Sequence, residues 1–360
     1  MSRPFENQTY FALALDPIYV GTGGYRLGRV DLSIVREPGT NLPKIPGTSI
    51  SGVARAYTAM NYSDKFQRIS KDEKGNPIVK KDQNGNPVID KWGKPVYEYE
   101  SCAGKGGIGG EKHCGCAQPA CPVCIPFGFS KAGNSFQGLA QFGDARILFF
   151  PVYSLMGPIW ITTSEILEEI GVKGIPSIDN KKFIPLNIKF NQNYYSSDTT
   201  GKQRLNFGWL MLPSQNINGA EIDFSNNGEF KKIAPKLKFI LQRLVLLPMN
   251  LFTHVVNTNL EVRTSVSIDP ATGAAEEGAL FTYEAIPRST VFWFTVVYND
   301  PRNFRIEGKE IKKEDGSLAD IDWVKQNVEK GFSYFKYLGI GGMGTRGMGR
   351  LWILNNSEVE

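Results

Sequence analysis

Residues 320–354 read DIDWVKQNVEKGFSYFKYLGIGGMGTRGMGRLWIL. Ile321, Val324, Val328, Phe332 and Phe335 recur at helical spacing, and Asp320 stands where a helix N-cap is expected. The glycines between Gly339 and Gly349 end that helix, and LWIL reads as a short final strand. Working back along the chain, TVFWFTVVY (290–298), KFILQRLVLLP (238–248), PIWITT (158–163) and GLAQFGDARILFFPVYS (138–154) read as strands, with a short helix around 165–170. TYFALAL (9–15) alternates as a half-buried strand does and feeds a glycine loop, DPIYVGTGGYRLG (16–28). Thr48 or Ser49 then caps a helix with apolar residues Ile50, Val53, Ala54, Tyr57 and Met60. Strand, helix, strands, helix, strand is the order of an α+β, ferredoxin-like (RRM-like) sheet with long insertions. Such a sheet is also the platform that RNA-recognition modules use.

The 360 residues suit one large domain or two modest ones. Lysine plus arginine is 41 against 36 acidic residues, a formal charge of +5. That excludes a long basic arm or an acidic tail, yet a polyanion groove can hide inside a nearly neutral total. No apolar run approaches the roughly 18 residues of a membrane span. The start, MSRPFENQTYFALALDP, has neither the charged region nor the apolar core of a secretion signal, so a cytoplasmic protein without membrane partners is expected. The 38 glycines mark places where backbone turns sharply or approaches another group closely.

Residues 61–125 differ from the rest. They are hydrophilic and carry the near-repeats GNPIVKK, GNPVIDK and GKPVYEY from Gly75, Gly85 and Gly93, which suggest short hairpins in an insertion. The insertion also holds all five cysteines, an odd number confined to one stretch, which favours a metal site over a disulfide framework. In HCGCAQPACPVC (113–124), Cys121 and Cys124 form one pair and Cys114 and Cys116 another, enough for a tetrahedral zinc. His113 or Cys102 can replace one of the four. A closed set of four ligands leaves no position for water, so the zinc is expected to be structural.

Catalytic material is scarce. His113 and His254 are the two histidines, and His113 lies in the cysteine cluster, so triads and two-histidine phosphodiester cleavage have little to build on. Carboxylates remain: Asp16, Asp31, Glu37, Asp144 and Asp269 lie in or beside turn-rich stretches. Gly342, Gly344 and Gly347 match GxGxxG, but the loop follows a helix and precedes a strand, the reverse of the dinucleotide-binding order. What the two glycine loops do offer is dense backbone N–H near Arg26, Arg29, Arg346 and Arg350, which suits a phosphodiester backbone.

The succession YVGTG, LGRVDLSIVRE, LPKIPGTSISG, CPVCIPFG, FGDARILFFPVYSLMGPIWITT, EVRTSVSIDPATGAAEEGALFTYEAIP and IGGMGTRGMGR resembles the backbone RAMP subunit of type III-B (Cmr) CRISPR-Cas effector complexes. The resemblance runs from about Ala12 to Ile353. It implies a single RAMP domain over 1–360 that polymerises with copies of itself along a CRISPR guide RNA, admits complementary target RNA and meets other Cmr subunits. It further implies that Asp31 serves metal-dependent endoribonucleolysis of the target. The cation would be Mg or Mn, and a ribose 2′-OH would attack the adjacent phosphate to give a 2′,3′-cyclic phosphate. A non-cutting RNA-binding scaffold is the alternative. A thumb hairpin is expected at 257–287, with Val266, Ile268 and Ala279, Leu280 and Phe281 able to wedge between base pairs. Guide-backbone contacts are expected from Lys44, Ser49, Ser51 and Arg55, with N–H groups from Thr48 and Gly52, and from Arg26, Arg346 and Arg350. Where the family commonly has SLKG, this chain has Ser49-Ile50-Ser51-Gly52, and Arg346 is a candidate to replace the missing lysine.

Overall fold

The computed structural model describes residues 3–23, 30–62, 118–131, 134–186, 203–215, 228–276 and 279–357, with shorter pieces between 68 and 103 and at 196–197, 222 and 224. Strand β1 (Phe5–Ala14) is paired on both sides and sends alternate side chains to opposite faces. Tyr10 meets Phe332 edge-on at 5.2 Å on one face, and Phe11 meets Phe230 at 5.3 Å on the other. Both rings are buried, so the sheet has a core on each side.

In chain order the elements that build this core begin with β2 (Lys44–Ile45), α1 (Gly47–Asn61), α2 (Cys124–Phe127), β3 (Ala140–Phe142), β4 (Ala145–Ser154), β5 (Gly157–Thr162) and α3 (Ser164–Glu169). Next come β6 (Ile184–Leu186), β7 (Gln203–Phe207), β8 (Leu210–Pro213), α4 (Gly228–Ile233), α5 (Lys238–Leu241), β9 (Leu244–Leu246) and α6 (Met249–Thr258). The chain closes with β10 (Glu261–Ser265), β11 (Phe281–Ala285), β12 (Val291–Asn299), α7 (Ile321–Ser333), α8 (Phe335–Leu338) and β13 (Leu351–Ile353). Among the described residues the main sheet is ordered β6, β9, β5, β4, β12, β1, β13, with β2 added beside β4 and β3 beside β12. Only β9 and β5 pair in parallel. Two strand–helix–strand units interleave, so that β4, β12, β1 and β13 lie side by side and all antiparallel.

Helices α1 and α7 cover one face. They cross where Gly331 offers no side chain, because a Cβ there would lie 2.4 Å from the Ala54 carbonyl oxygen. Phe332 drops into the contact, packing also on Phe294 and Phe335. Beneath it the Tyr10 hydroxyl bonds Tyr298 and the Glu329 carboxylate, each at 2.8 Å, and Ser357 also donates to Glu329. Burial, with the nearby Glu329 charge, pushes both phenols well above their usual range, so they act as neutral donors.

The other face, the one an RNA-recognition module leaves open, is covered by α4, where Phe230 packs on Phe11 and Phe149. RNA therefore has no access to a bare sheet at this point. Two local readings are corrected. KFILQRLVLLP is a helical turn, α5, before the strand β9, because Phe239 and Arg243 stack at i, i+4 with the guanidinium 4.0 Å from the ring centre. Helix α1 is capped by neither Thr48 nor Ser49: it starts at Gly47 after Pro46, and Asp144 supplies the carboxylate that accepts the Gly47 N–H at 2.7 Å. The strands expected at 158–163 and 290–298, and the helices at 165–170 and from Asp320, stand as read, with the Asp320 carboxylate accepting the Trp323 N–H. The one strand expected over 138–154 is instead two, β3 and β4, broken at Gly143 and Asp144, where Asp144 turns to bond the Gly47 N–H. In the polar insertion, bridges Lys81 to Pro87 and Ile89 to Pro95 fit the expected hairpins, and the rest of that stretch lies largely outside the described residues.

Candidate nucleic-acid interface and metal centre

Strands β10 and β11 pair antiparallel from Glu261 with Ala285 to Ser265 with Phe281, making a hairpin that stands apart from the main sheet. It follows directly on α6, and its first strand begins at Glu261. At its far end Val266, Ile268 and Leu280 expose apolar side chains, Leu280 to 65%. An antiparallel bridge between Ile268 and Ala275 extends the hairpin into this tip. Exposed apolar groups on a stiff two-stranded projection contribute nothing to the core; they are available to another molecule.

The segment carrying Asp31 lies along the outer edge of this hairpin. Leu32 N–H bonds the Thr282 carbonyl at 3.0 Å and Glu284 N–H bonds the Leu32 carbonyl at 3.2 Å, so residues 31–33 act as a third, parallel strand. Arg36 anchors the next turn on the Glu284 carboxylate at 2.6 Å and on Asn257 at 3.0 Å. The register places Asp31 opposite Thr282, one residue from Phe281. Asp31 Oδ2 accepts the Thr282 N–H at 2.6 Å and its hydroxyl at 2.8 Å, while Oδ1 has no protein partner among the described residues. The Thr282 N–H and then its hydroxyl hold the Asp31 carboxyl below the ordinary aspartate range, so it is ionised at neutral pH. An exposed carboxylate with one oxygen fixed and one free can bind a cation or accept a proton.

Arg346 reaches the same place from the glycine loop. Its guanidinium lies 5.3 Å from the Phe281 ring centre, and its carbonyl accepts from Arg263 at 3.4 Å. The loop is held against residues 17–20: Gly342 N–H bonds the Tyr19 carbonyl, Gly349 N–H bonds that of Pro17, and a Cβ at Gly341 would lie 2.2 Å from the Tyr19 oxygen. GxGxxG here is a turn of 3-10 helix between α8 and β13, so it opens no dinucleotide site. Arg350 is otherwise engaged, in a two-pronged pair with Asp16 at 2.6 and 2.9 Å that, by hydrogen bonding and charge, draws the Asp16 carboxyl down. Arg26 lies outside the described residues.

The remaining candidates form a second group on α1. Thr48, Ser51, Gly52 and Arg55 share one helical face, Thr48 and Gly52 exposed and Ser51 and Arg55 half-buried; Ser49 is half-buried beside them. Lys44, on β2, bonds Asp144 at 2.5 Å, and Asp144 also holds the helix start. Partial burial works against ionisation of Asp144, but Lys44, the Gly47 N–H and Arg146 outweigh it, and its carboxyl is held low. Tyr57, further along α1, donates to the Gly339 carbonyl at 2.8 Å and ties this group to the glycine loop. Glu37 and Asp269 bond Thr40 and the Ala271 and Thr272 groups of their own turns. Sequence reading missed Thr282, Arg263 and Tyr57, since a single polar residue in a strand or helix carries no local signal of what it meets across the fold.

The metal candidates divide. His113, Cys114 and Cys116 lie outside the described residues. Cys121 and Cys124 are brought together with Cys102, the residue read as a possible replacement, in a buried trio whose sulfurs all lie within 4.8 Å of one another. Among the described residues it is the only group of three or more potential metal donors. The Cys102 and Cys121 sulfurs are 3.7 Å apart. A disulfide needs about 2.05 Å, whereas two thiolates on one zinc at about 2.3 Å each stand about 3.8 Å apart. The Cys124 N–H points at the Cys121 sulfur at 3.2 Å, which holds the two residues in one turn. This donor set fits zinc.

Comparison with known proteins matches this arrangement over nearly its whole length. The Cmr endoribonuclease Cmr4 of Pyrococcus furiosus is 26% identical over 353 residues, covering 93% of this chain and 90% of that protein. Two cryo-electron microscopy structures of the type III-B Cmr-beta complex contain a similarly folded chain at TM-score 0.56. The apo state is 14% identical with 98% of each chain covered, and the complex bound to cognate target RNA is 13% identical with 99% and 100% covered. Among the described residues no helix is long and apolar enough to cross a membrane. The model of the RAMP superfamily matches residues 12–352, and the chain belongs to that superfamily.

Proposed function

We propose that this protein is the backbone subunit of a cytoplasmic type III-B CRISPR effector complex, a ferredoxin-like palm with a thumb at 257–287, and that it cleaves target RNA. The strand order β4, β12, β1, β13 under two helices supports the palm. The likeness to Cmr4 and to Cmr-beta chains supports a guide-RNA-bound filament of copies of this chain, joined to other Cmr subunits. The observation that carries the catalytic reading is the register of Asp31 on β11. The carboxylate oxygen that has no partner among the described residues sits beside the strand that begins at Phe281, next to the exposed Leu280. A thumb tip that wedges a target base pair open presents the strained phosphodiester next to Asp31. In-line attack by the ribose 2′-OH then depends chiefly on positioning.

Asp31 is suited to orient that hydroxyl or to accept its proton, and Arg346 and Arg263 lie where they can offset phosphate charge. A Mg or Mn ion, when bound, would supply charge neutralisation at the phosphate. Asp31 Oδ1 would hold it together with RNA oxygens, since a single protein carboxylate suffices for such an ion. The cysteine trio, with a fourth donor from His113, Cys114 or Cys116, would hold a structural zinc in the insertion at 61–125.

The test is a reconstituted complex carrying Asp31→Asn. Target cleavage should fall by about a hundredfold or more, while guide and target affinities stay at wild-type values. Cleavage at the wild-type rate would remove Asp31 from the chemistry and leave a scaffold that binds RNA without cutting it.

A further inference from the structure

Arg55 sits on the α1 face proposed to meet the guide backbone, yet its Nε donates to the main-chain carbonyl of Cys102 at 2.9 Å. Cys102 is buried and belongs to the sulfur trio with Cys121 and Cys124. It is the member remote from the other two in sequence; Cys121 and Cys124 lie in one turn, linked by their own N–H to sulfur contact. Its sulfur lies 3.7 Å from that of Cys121, so an ion shared by the three sulfurs would tie Cys102 to that turn. Three cysteine sulfurs within 4.8 Å of one another form a donor set that one zinc ion can bind.

We infer that a zinc ion on Cys102, Cys121 and Cys124 fixes the Cys102 carbonyl, and through it the guanidinium of Arg55, so that metal occupancy sets the affinity of α1 for an RNA backbone. Cys102 is then a positioning residue and Arg55 the phosphate contact. With Nε held by the carbonyl, the two Nη groups have no protein partner among the described residues, and helical spacing puts Arg55 on the same face of α1 as Ser51 and Gly52. Gly52 leaves open space there for a phosphate to approach. In a chain with Ser51 where relatives commonly place lysine, a pre-set Arg55 supplies the positive charge of this helix face. The Nη groups of a held guanidinium lose less freedom on binding a phosphate than those of a swinging one. The inference rests on the guide-binding reading of α1.

The test uses the full chain, stripped of metal by a zinc chelator under reducing conditions and reloaded with Zn²⁺. Binding to a fluorescein-labelled single-stranded guide RNA is followed against salt, and backbone hydrogen exchange is followed along α1. Wild type should take up about one equivalent of zinc. Stripping should weaken RNA binding about tenfold, lower the salt slope by about one and speed exchange around Arg55. Arg55→Ala should bind zinc as wild type does, bind RNA as weakly as the stripped chain, and show no further loss on stripping. An Arg55→Ala variant that still loses affinity with its metal overturns the inference, as does a wild type whose affinity ignores zinc or a chain that takes up none. If wild type binds no guide RNA with zinc or without it, the guide-binding reading itself fails. Zinc-dependent exchange at α1 would then reduce the trio to a purely structural site.

Discussion

The α1/α7 side of the sheet and the β10/β11 hairpin are built from similar residues and use them in opposite ways. Over the sheet, Phe332, Phe335 and Phe294 are buried to within a few per cent, and even the polar Glu329 is satisfied by Tyr10 and Ser357. On the hairpin, Val266, Ile268 and Leu280 are left in water, and one oxygen of the carboxylate beside them has no partner among the described residues. Apolar area buried in the first region stabilises the fold, while the same chemistry exposed in the second adds little to stability unless a partner covers it. The contrast separates the part of the chain that keeps it folded from the part left open to another molecule.

The sharpest way to break this contrast is to exchange one apolar side chain in each region. Phe332→Ala removes a ring at 1% exposure that packs on Tyr10, Phe294 and Phe335, and it should cost about 3–5 kcal/mol in chemical denaturation. Leu280→Ser on the hairpin tip should stay within about 0.5 kcal/mol of wild type. Equal losses would mean that the tip is part of the core. Between these lies Asp144→Ala, which takes the carboxylate from the Gly47 N–H and from Lys44. It should lower stability by about 1 kcal/mol and leave guide affinity unchanged or raised, because Lys44 is released; a clear loss of affinity would place Asp144 itself at the RNA. For function the order reverses: Leu280→Ser should slow target cleavage about tenfold if the wedge is worth about 1.4 kcal/mol. An unchanged rate would leave the exposed tip without a part in cleavage.

How much of this was legible depends on how local each signal is. The helix from Asp320 and the strands at 9–15 and 290–298 were readable because their periodicity is written in consecutive residues and their caps lie within one turn. The start of α1 was not, because its carboxylate comes from Asp144, 97 residues away. The pairing of Asp31 with Thr282 spans 251 residues, so sequence offered Asp31 only among five comparable carboxylates until family resemblance singled it out. Cys121 and Cys124 were visible as a pair on one turn, whereas Cys102 could be read only as an alternative ligand; its place beside them is a tertiary fact. The cover that α4 lays over the second sheet face was likewise hidden, since an amphipathic turn does not state which face it will meet.

The smallest predicted effect is the most specific to the hairpin edge. Thr282→Val keeps the shape and strand preference of the side chain but removes the hydroxyl that donates to Asp31 Oδ2, leaving the Thr282 N–H bond intact. At neutral pH Asp31 remains ionised with or without the hydroxyl, so cleavage should fall by less than about tenfold, the worth of one charge-assisted hydrogen bond, and thermal stability should hold. The discriminating readout is the acid limb of the pH profile. A carboxyl whose folded value is held below the ordinary one stays charged until pH falls through that lowered value, so wild-type cleavage should persist below the usual aspartate range near 3.9. Removing one donor raises the carboxyl, and the limb should move to higher pH without reaching that of a free aspartate, because the N–H, the larger of the two influences, remains. A profile that does not move would mean that the group titrating in cleavage is not Asp31, and the comparison would then rest on the exposed apolar tip alone.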